Sequence, residues 1–248
     1  MGQCIAVVSG KGGTGKTSFT AGVGEALALS GRRVLCLDCD VGLRNLDLAL
    51  GLSDRALMDF SDVAQSRCSL DAAVVEHPQL PGLFLLTAPV RTRGRPVTEG
   101  QMADLLTEVR KRYDFCLLDA PAGLGGGFVL ATAAADRAVV VTTTDTSSLR
   151  DAQHTVMELD RFGSGKLHLV VNRVRRKMLR SMHATIDDAI DKAGLPLIGV
   201  VPEDDALLLS LNRGTPLLLS DGQGAAASAY RNIAKRLQGG KVPLLRIK

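Results

Sequence analysis

The chain has 248 residues, 46% of them apolar and 23% charged, an ordinary globular composition with enough apolar side chains for one sizeable core. Aromatic residues make up 3% and tryptophan is absent, which argues against bases stacking on an aromatic platform; no apolar run approaches the roughly 18 residues of a membrane span. The formal charge is +4, and the five cysteines have no repeating spacing, so no disulfide framework is indicated.

In chain order, the first element is a short apolar strand over 4–8, entered directly from the N-terminus. No signal peptide is therefore expected, and the location expected is cytoplasmic. Ser9 to Ser18 then read Ser-Gly-Lys-Gly-Gly-Thr-Gly-Lys-Thr-Ser, followed by a helical pattern to Ser30. Gly10, Gly15, Lys16 and Thr17 meet the spacing G-x-x-x-x-G-K-[ST] between a strand and a helix, which is the context a phosphate loop requires. Gly10, Gly12, Gly13 and Gly15 let backbone N–H groups turn inward around phosphate oxygens, with Thr14 and Ser18 in the same cradle. Lys16 can bridge the β- and γ-phosphates, the Thr17 hydroxyl can ligate Mg²⁺, and the new helix points its positive end at the anion.

Gly31 closes that helix, and a strand over 33–38 follows, ending in Asp38-Cys39-Asp40. Cys36 and Cys39 form a C-x-x-C that ends a strand rather than opening a helix, which speaks against redox or zinc chemistry. A strand over 83–87 precedes a capping box, Thr98 to Gln101, that opens a helix running to Arg112. The strand over 115–119 ends in Asp119, and further strands lie at 138–142, 167–171 and 197–201; Gly194, with Pro196 after it, closes the helix before the last. These strands are continuous apolar runs, as strands buried on both faces are. The expected fold is α/β: a doubly wound, mainly parallel sheet flanked by helices, one domain over 1–238 with a short basic and apolar tail over 239–248. Ligand then sits at the carboxyl ends of the strands. There Asp119 is placed to hold Mg²⁺ through water, and Asp40 to orient an attacking water. The competing role for either carboxylate is a turn or helix cap.

Gly-Lys-Gly-Gly-Thr-Gly-Lys-Thr over 10–17 resembles the deviant phosphate loop of the MinD/ParA ATPases. Asp-x-Asp-x-Gly-Leu-Arg-Asn-Leu-Asp from Asp38, Asp-x-Pro-Ala-Gly from Asp119, and Gly-Val-Val-Pro-Glu-Asp from Gly199 are similar to the septum-site branch of that family. The similarity runs over about 3–237. It implies a P-loop NTPase fold and a Mg²⁺-dependent ATPase, hydrolysing ATP to ADP and phosphate, that regulates septum placement. In the ATP state two subunits would sandwich two nucleotides, with catalytic Lys11 reaching the partner's. Asn172, Arg173, Pro202, Glu203 and Asp204 match the positions that recognise adenine and ribose; an amide such as that of Asn172 offers both donor and acceptor. Ser148, Arg150 and Asp151 open a helix resembling the family's partner-binding helix. Its partners would be a MinC-like division inhibitor and, in some bacteria, a MinE-like factor.

Departures from the pattern are Ala120 in place of Ser, Gly125-Gly126-Gly127 where Glu is usual, and Thr144-Asp145-Thr146 without Pro-Glu. The triple glycine is expected to loosen the second switch. Basic residues cluster at Arg173, Arg175, Arg176, Lys177 and Arg180, and again after Asp221, where six basic residues meet no acidic one. Such clusters leave open a ParA-type partition ATPase acting on DNA. A metal-cluster carrier on the same fold would need paired cysteines elsewhere. The family continues into a membrane-targeting helix, whereas Gly239-Gly240 and Pro243 interrupt helix here. Weak, salt-sensitive attachment to anionic membrane at best is therefore the expectation, with the protein at most peripheral on its inner face.

Overall fold

Val34–Asp38 and Phe115–Asp119 are buried at every residue, as strands covered on both faces must be. They form the middle of an eight-stranded sheet in the computed structural model, which describes residues 1–53, 55–91, 95–163, 165–181 and 185–245, with the backbone alone for 176, 178 and 180. The strands are β1 (Gln3–Val8), β2 (Val34–Asp38), β3 (Val75–Glu76), β4 (Leu83–Leu86), β5 (Phe115–Asp119), β6 (Arg137–Thr142), β7 (Leu167–Val174) and β8 (Leu197–Pro202). The helices are α1 (Lys16–Leu29), α2 (Leu46–Ala49), α3 (Phe60–Ala64), α4 (Leu70–Ala73), α5 (Glu99–Arg112), α6 (Gly126–Thr132), α7 (Thr146–Glu158), α8 (Arg176–Ser181), α9 (Ile186–Ala193), α10 (Asp205–Arg213), α11 (Leu217–Ser220) and α12 (Ala225–Leu237). The spatial order is β3-β4-β2-β5-β1-β6-β7-β8, parallel throughout except for β3 against β4. From β1 the chain moves to one side of the sheet and later returns past it to β6, so β1 lies at the switch point where such sheets bind ligand.

Alternation along each strand feeds two cores. Cys4, Ala6 and Val8 face one, with Met102, Leu106 and Val109 of α5 and Leu149 of α7. Ile5 and Val7 face the other, with Phe19 and Val23 of α1 and Tyr230 and Ile233 of α12. The Thr98–Gln101 capping box and the Gly194 stop form as the sequence indicates. The two-residue β3 is too short to carry a periodicity. The helices α1 and α12 lie so close that a Cβ on Gly22 would sit 2.2 Å from the Tyr230 ring.

Glu25 of α1 is buried, and its Oε2 accepts from the Leu218 N–H at 2.8 Å. It caps α11, whose own N-cap, Pro216, makes no side-chain cap bond. Burial raises the Glu25 pKa from 4.5 to about 7, against the lowering effect of the α11 N–H groups. The folded protein therefore binds the proton more tightly than the unfolded chain, and stability falls as pH rises from 4.5 to 7. The contribution is roughly 3 kcal/mol. Asp38 and Asp119, raised to about 6 and about 7, slope the same way. Glu25→Gln is expected to remove only its own share: the urea midpoint should drop less between pH 5 and pH 8 than in the parent.

At the far end of the sheet Arg236 holds the chain after α12. Its Nη1 donates to the Ile198 carbonyl at 2.7 Å, and its Nε and Nη2 donate to Val242 at 3.1 and 2.9 Å. Leu245 packs on the second core. Arg246, Ile247 and Lys248, counted in the basic tail, lie outside the described residues.

Candidate nucleotide site

The phosphate loop turns at Gly15, which has φ 88° and is the N-cap of α1. A Cβ there would lie 2.3 Å from Asn172 Nδ2, so conformation and space both require glycine. No side chain caps α1 and no acidic residue sits in its first turn, which leaves the positive end of that helix open to an anion. Lys16 is only 7% exposed, and its ammonium donates to Ser9 Oγ at 2.7 Å. Burial lowers its pKa, while Asp119 and Asp40 act the other way. Ser9, buried and itself donating to the Lys11 carbonyl at 2.7 Å, is a positioning residue that the motif spacing does not reveal.

Thr17 Oγ1 donates to Asp119 Oδ2 at 2.6 Å and Thr20 Oγ1 to its Oδ1 at 3.3 Å. A hydroxyl and a carboxylate thus meet at the mouth of the loop, the donor set a hard divalent cation takes alongside phosphate oxygens. Thr14 Oγ1 is buried without a hydrogen-bond partner. Such an orphaned hydroxyl, beside a buried ammonium and an uncapped helix, fits a bound triphosphate with its Mg²⁺.

The two carboxylates at the carboxyl end of β2 differ. Asp38 is fully buried and accepts from the N–H groups of Asp40 at 2.8 Å and Leu46 at 3.3 Å. Asp40 is only partly buried, and no hydrogen bond to its own carboxylate is present among the described residues. Asp38 shapes the loop, and Asp40 is left available to a water. Cys36 and Cys39 are wholly buried with thiols pushed up by burial, which suppresses thiolate chemistry.

Beside the loop lies a cleft of about 250 Å³ in which Gly15, Ser18, Asn172, Arg173, Pro202, Glu203 and Asp204 come together. Its opposite wall is apolar, Leu207, Leu208 and Leu211 of α10, which the sequence reading did not assign. Asn172 Nδ2 donates to the Thr14 carbonyl at 2.8 Å. Arg173, with φ 54°, reaches the Gly13 carbonyl and Glu203, both at 3.1 Å, and Arg175 also pairs with Glu203. Two members of the first basic cluster are thereby spent on one carboxylate, and the side chains of Arg176 and Arg180 are outside the described set. The Asp204 carboxylate accepts from the N–H groups of Ala206 and Ala226, both at 3.0 Å, and so caps α10 and α12.

Residues 5–217 match the family model described as the CobQ/CobB/MinD/ParA nucleotide binding domain. The chain belongs to this family. The septum site-determining protein MinD of Synechocystis is 39% identical over 246 residues, 99% of this chain and 92% of that protein. Among solved structures, the MinC:MinD cell division protein complex of Aquifex aeolicus matches with 35% identity and a TM-score of 0.91 over 98% of both chains. MinD of Pyrococcus horikoshii, solved with Mg-ADP, matches with 30% identity and a TM-score of 0.84 over 96% of both.

In this MinD/ParA-family chain the signature Lys11 is held within its own subunit, donating to Asp145 Oδ1 at 3.2 Å and Ser147 Oγ at 2.8 Å. Asp145 caps α7 through the Ser148 N–H. Burial opposes its ionisation, but donors from Thr143, Ser148 and Ser147 outweigh it and hold its carboxyl far below the usual range. Of the residues assigned to partner binding, Arg150 is exposed and Asp151 is half-buried, packed where a Cβ on Gly10 would lie 2.5 Å from its carbonyl. Ser148 is buried, its hydroxyl bonded to Thr143 and Asp145 at 2.8 and 2.7 Å, so it faces inward and not toward a partner. Gly125 is the N-cap of α6, and Gly126 and Gly127 form its first turn, so the triple glycine is part of a helix. No helix among the described residues is long and apolar enough to cross a membrane.

Proposed function

We propose that this chain is a Mg²⁺-dependent ATPase that acts as a monomer–dimer switch in placing the division septum. The observation that carries the reading is the convergence of buried Lys16, the Thr17–Asp119 pair and the unpartnered Thr14 hydroxyl at the end of β1. Thr17 would hold Mg²⁺ directly and Asp119 through water; the ion, when bound, offsets the charge of the phosphate oxygens. Lys16 stabilises charge on the β- and γ-phosphates, and Asp40 orients the attacking water. Asn172 and Arg173, with Pro202 and Glu203, line the adenosine cleft.

Lys11 acts on the partner subunit's nucleotide once it leaves Asp145. That release costs little, because the ion pair is 39% and 49% exposed on its two sides, and such pairs contribute at most about 1 kcal/mol. Lys11 also bonds Ser147 of the same helix as Arg150, so its departure would be felt where a MinC-like inhibitor or a MinE-like factor docks. The basic tail would add weak contact with anionic membrane.

Sedimentation velocity with a non-hydrolysable ATP analogue tests the switch. The parent is expected to shift from monomer to dimer, while Lys11→Ala binds the analogue and stays monomeric. A normal dimer in the variant would make Lys11 a solvated charge and remove the sandwich from the mechanism.

A further inference from the structure

A threonine inside a helix has a local use for its hydroxyl, donation to the carbonyl four residues earlier. Thr107 of α5, Thr132 of α6 and Thr155 of α7 take that use, bonding the carbonyls of Ala103, Phe128 and Asp151 at 2.9, 2.9 and 2.8 Å. Thr20 of α1 does not. Its Oγ1 donates to Asp119 Oδ1 at 3.3 Å, and no bond from it to the Lys16 carbonyl is present among the described residues.

Asp119 is 2% exposed, so its carboxylate oxygens depend on the protein for partners. Among the described residues its hydrogen-bond donors are two hydroxyls of α1, Thr17 to Oδ2 at 2.6 Å and Thr20 to Oδ1. Three residues apart on one helix, Thr17 and Thr20 share a face and hold the two oxygens from the same side. Their places differ. Thr17 stands at the mouth of the loop, whereas Thr20 is wholly buried and lines neither cleft beside it.

A carboxylate bonded at one oxygen can pivot about that bond; one bonded at both cannot. We propose that Thr20 is a positioning residue, fixing the plane of the Asp119 carboxylate so that Oδ2 and the Thr17 hydroxyl form one preset edge for a divalent cation. The orientation stands by itself. Its consequence for Mg²⁺ rests on the function proposed above.

Three variants separate the donor from the shape. Thr20→Val keeps the branch and removes the donor, Thr20→Ala removes it without setting a methyl against the carboxylate, and Thr20→Ser restores it. Crystal structures grown without nucleotide read the orientation. In Thr20→Val and Thr20→Ala the carboxylate is expected to turn until Oδ2 leaves hydrogen-bond distance of Thr17, whereas Thr20→Ser keeps the parent geometry. An unturned carboxylate in the donorless variants overturns the proposal. So does a turned one in Thr20→Ser, which would assign the effect to shape, or loss of folding in both donorless variants, which would make Thr20 a packing residue.

Mg²⁺ is then titrated by calorimetry into each protein with ADP bound. Partners of a metal's ligands change metal affinity by about 10- to 100-fold, and Thr20 acts only through Asp119, so Mg²⁺ should weaken roughly tenfold in the donorless variants. ADP affinity without Mg²⁺ should stay within about twofold, since Thr20 touches no part of the phosphate cradle. Equal Mg²⁺ affinity in parent and variants overturns the consequence. Failure of the proposed function would appear as absent ADP or Mg²⁺ binding by the parent, with the crystallographic comparison unaffected.

Discussion

Lys16→Ala is expected to remove productive ATP binding. The side chain is almost wholly buried, and its ammonium has one protein partner, the neutral Ser9 hydroxyl, among the hydrogen bonds of the described residues. Burial already lowers its pKa, so its charge is held in a place where only an anion fully compensates it. Charge-assisted bonds to phosphate contribute about 1.5–3 kcal/mol each, and losing the lysine leaves the phosphates with backbone donors alone. The affinity for ATP should fall roughly 100-fold or more, read by titration calorimetry with Mg²⁺ present. Asp119 and Asp40 both lose a nearby cation in the variant, so their carboxyl pKa values should rise further. Tight ATP binding by Lys16→Ala would sink the assignment of the loop.

Asp40→Ala is expected to separate binding from turnover. Its carboxylate makes no hydrogen bond within the described protein, while its backbone N–H is anchored to Asp38. Removing the side chain therefore breaks no hydrogen bond of the loop or the cradle, and takes from Lys16 only a neighbouring negative charge. Water positioning or general-base help contributes about 100- to 10,000-fold, so single-turnover hydrolysis should drop by at least the lower figure. ATP affinity should stay within about threefold, and the dimer formed with ATP should persist longer than in the parent. Asp38→Ala is the contrasting variant: it removes the acceptor for the Asp40 and Leu46 N–H groups, and both binding and turnover should suffer. Full hydrolysis by Asp40→Ala would transfer the role elsewhere.

The phosphate loop was legible because its chemistry demands contiguous residues, Gly10 to Ser18, whose spacing survives any tertiary context. The sheet was legible because seven of its strands are apolar runs with no polar face. What escaped depends on where single atoms point. The sequence reading placed Asp40 on the attacking water but gave Asp38 no role; the folded-back N–H groups of Asp40 and Leu46 make Asp38 the loop organiser. Ser148 resembled a partner-binding position and Asp204 a nucleotide-recognising one; the folded chain shows Ser148 bonded inward to the α7 cap Asp145 and Asp204 itself capping α10 and α12. The apolar wall of the cleft beside the loop came from α10, where Leu207, Leu208 and Leu211 look like an ordinary buried stripe. Gly125-Gly126-Gly127 suggested looseness by composition, but Gly127 is required by the nearness of Pro121.

The bond from Asn172 to Thr14 fixes more than the position of β7. Since a backbone carbonyl of the loop takes one Nδ2 hydrogen, the amide has one orientation, with its Oδ1 left to accept and its second Nδ2 hydrogen left to donate. Under the proposed reading, a purine's exocyclic amine would find its acceptor at that Oδ1. The orientation of that amide is thus set by the peptide unit of Thr14, in the same loop proposed to cradle the phosphates, so base contact and phosphate grip would be mechanically linked.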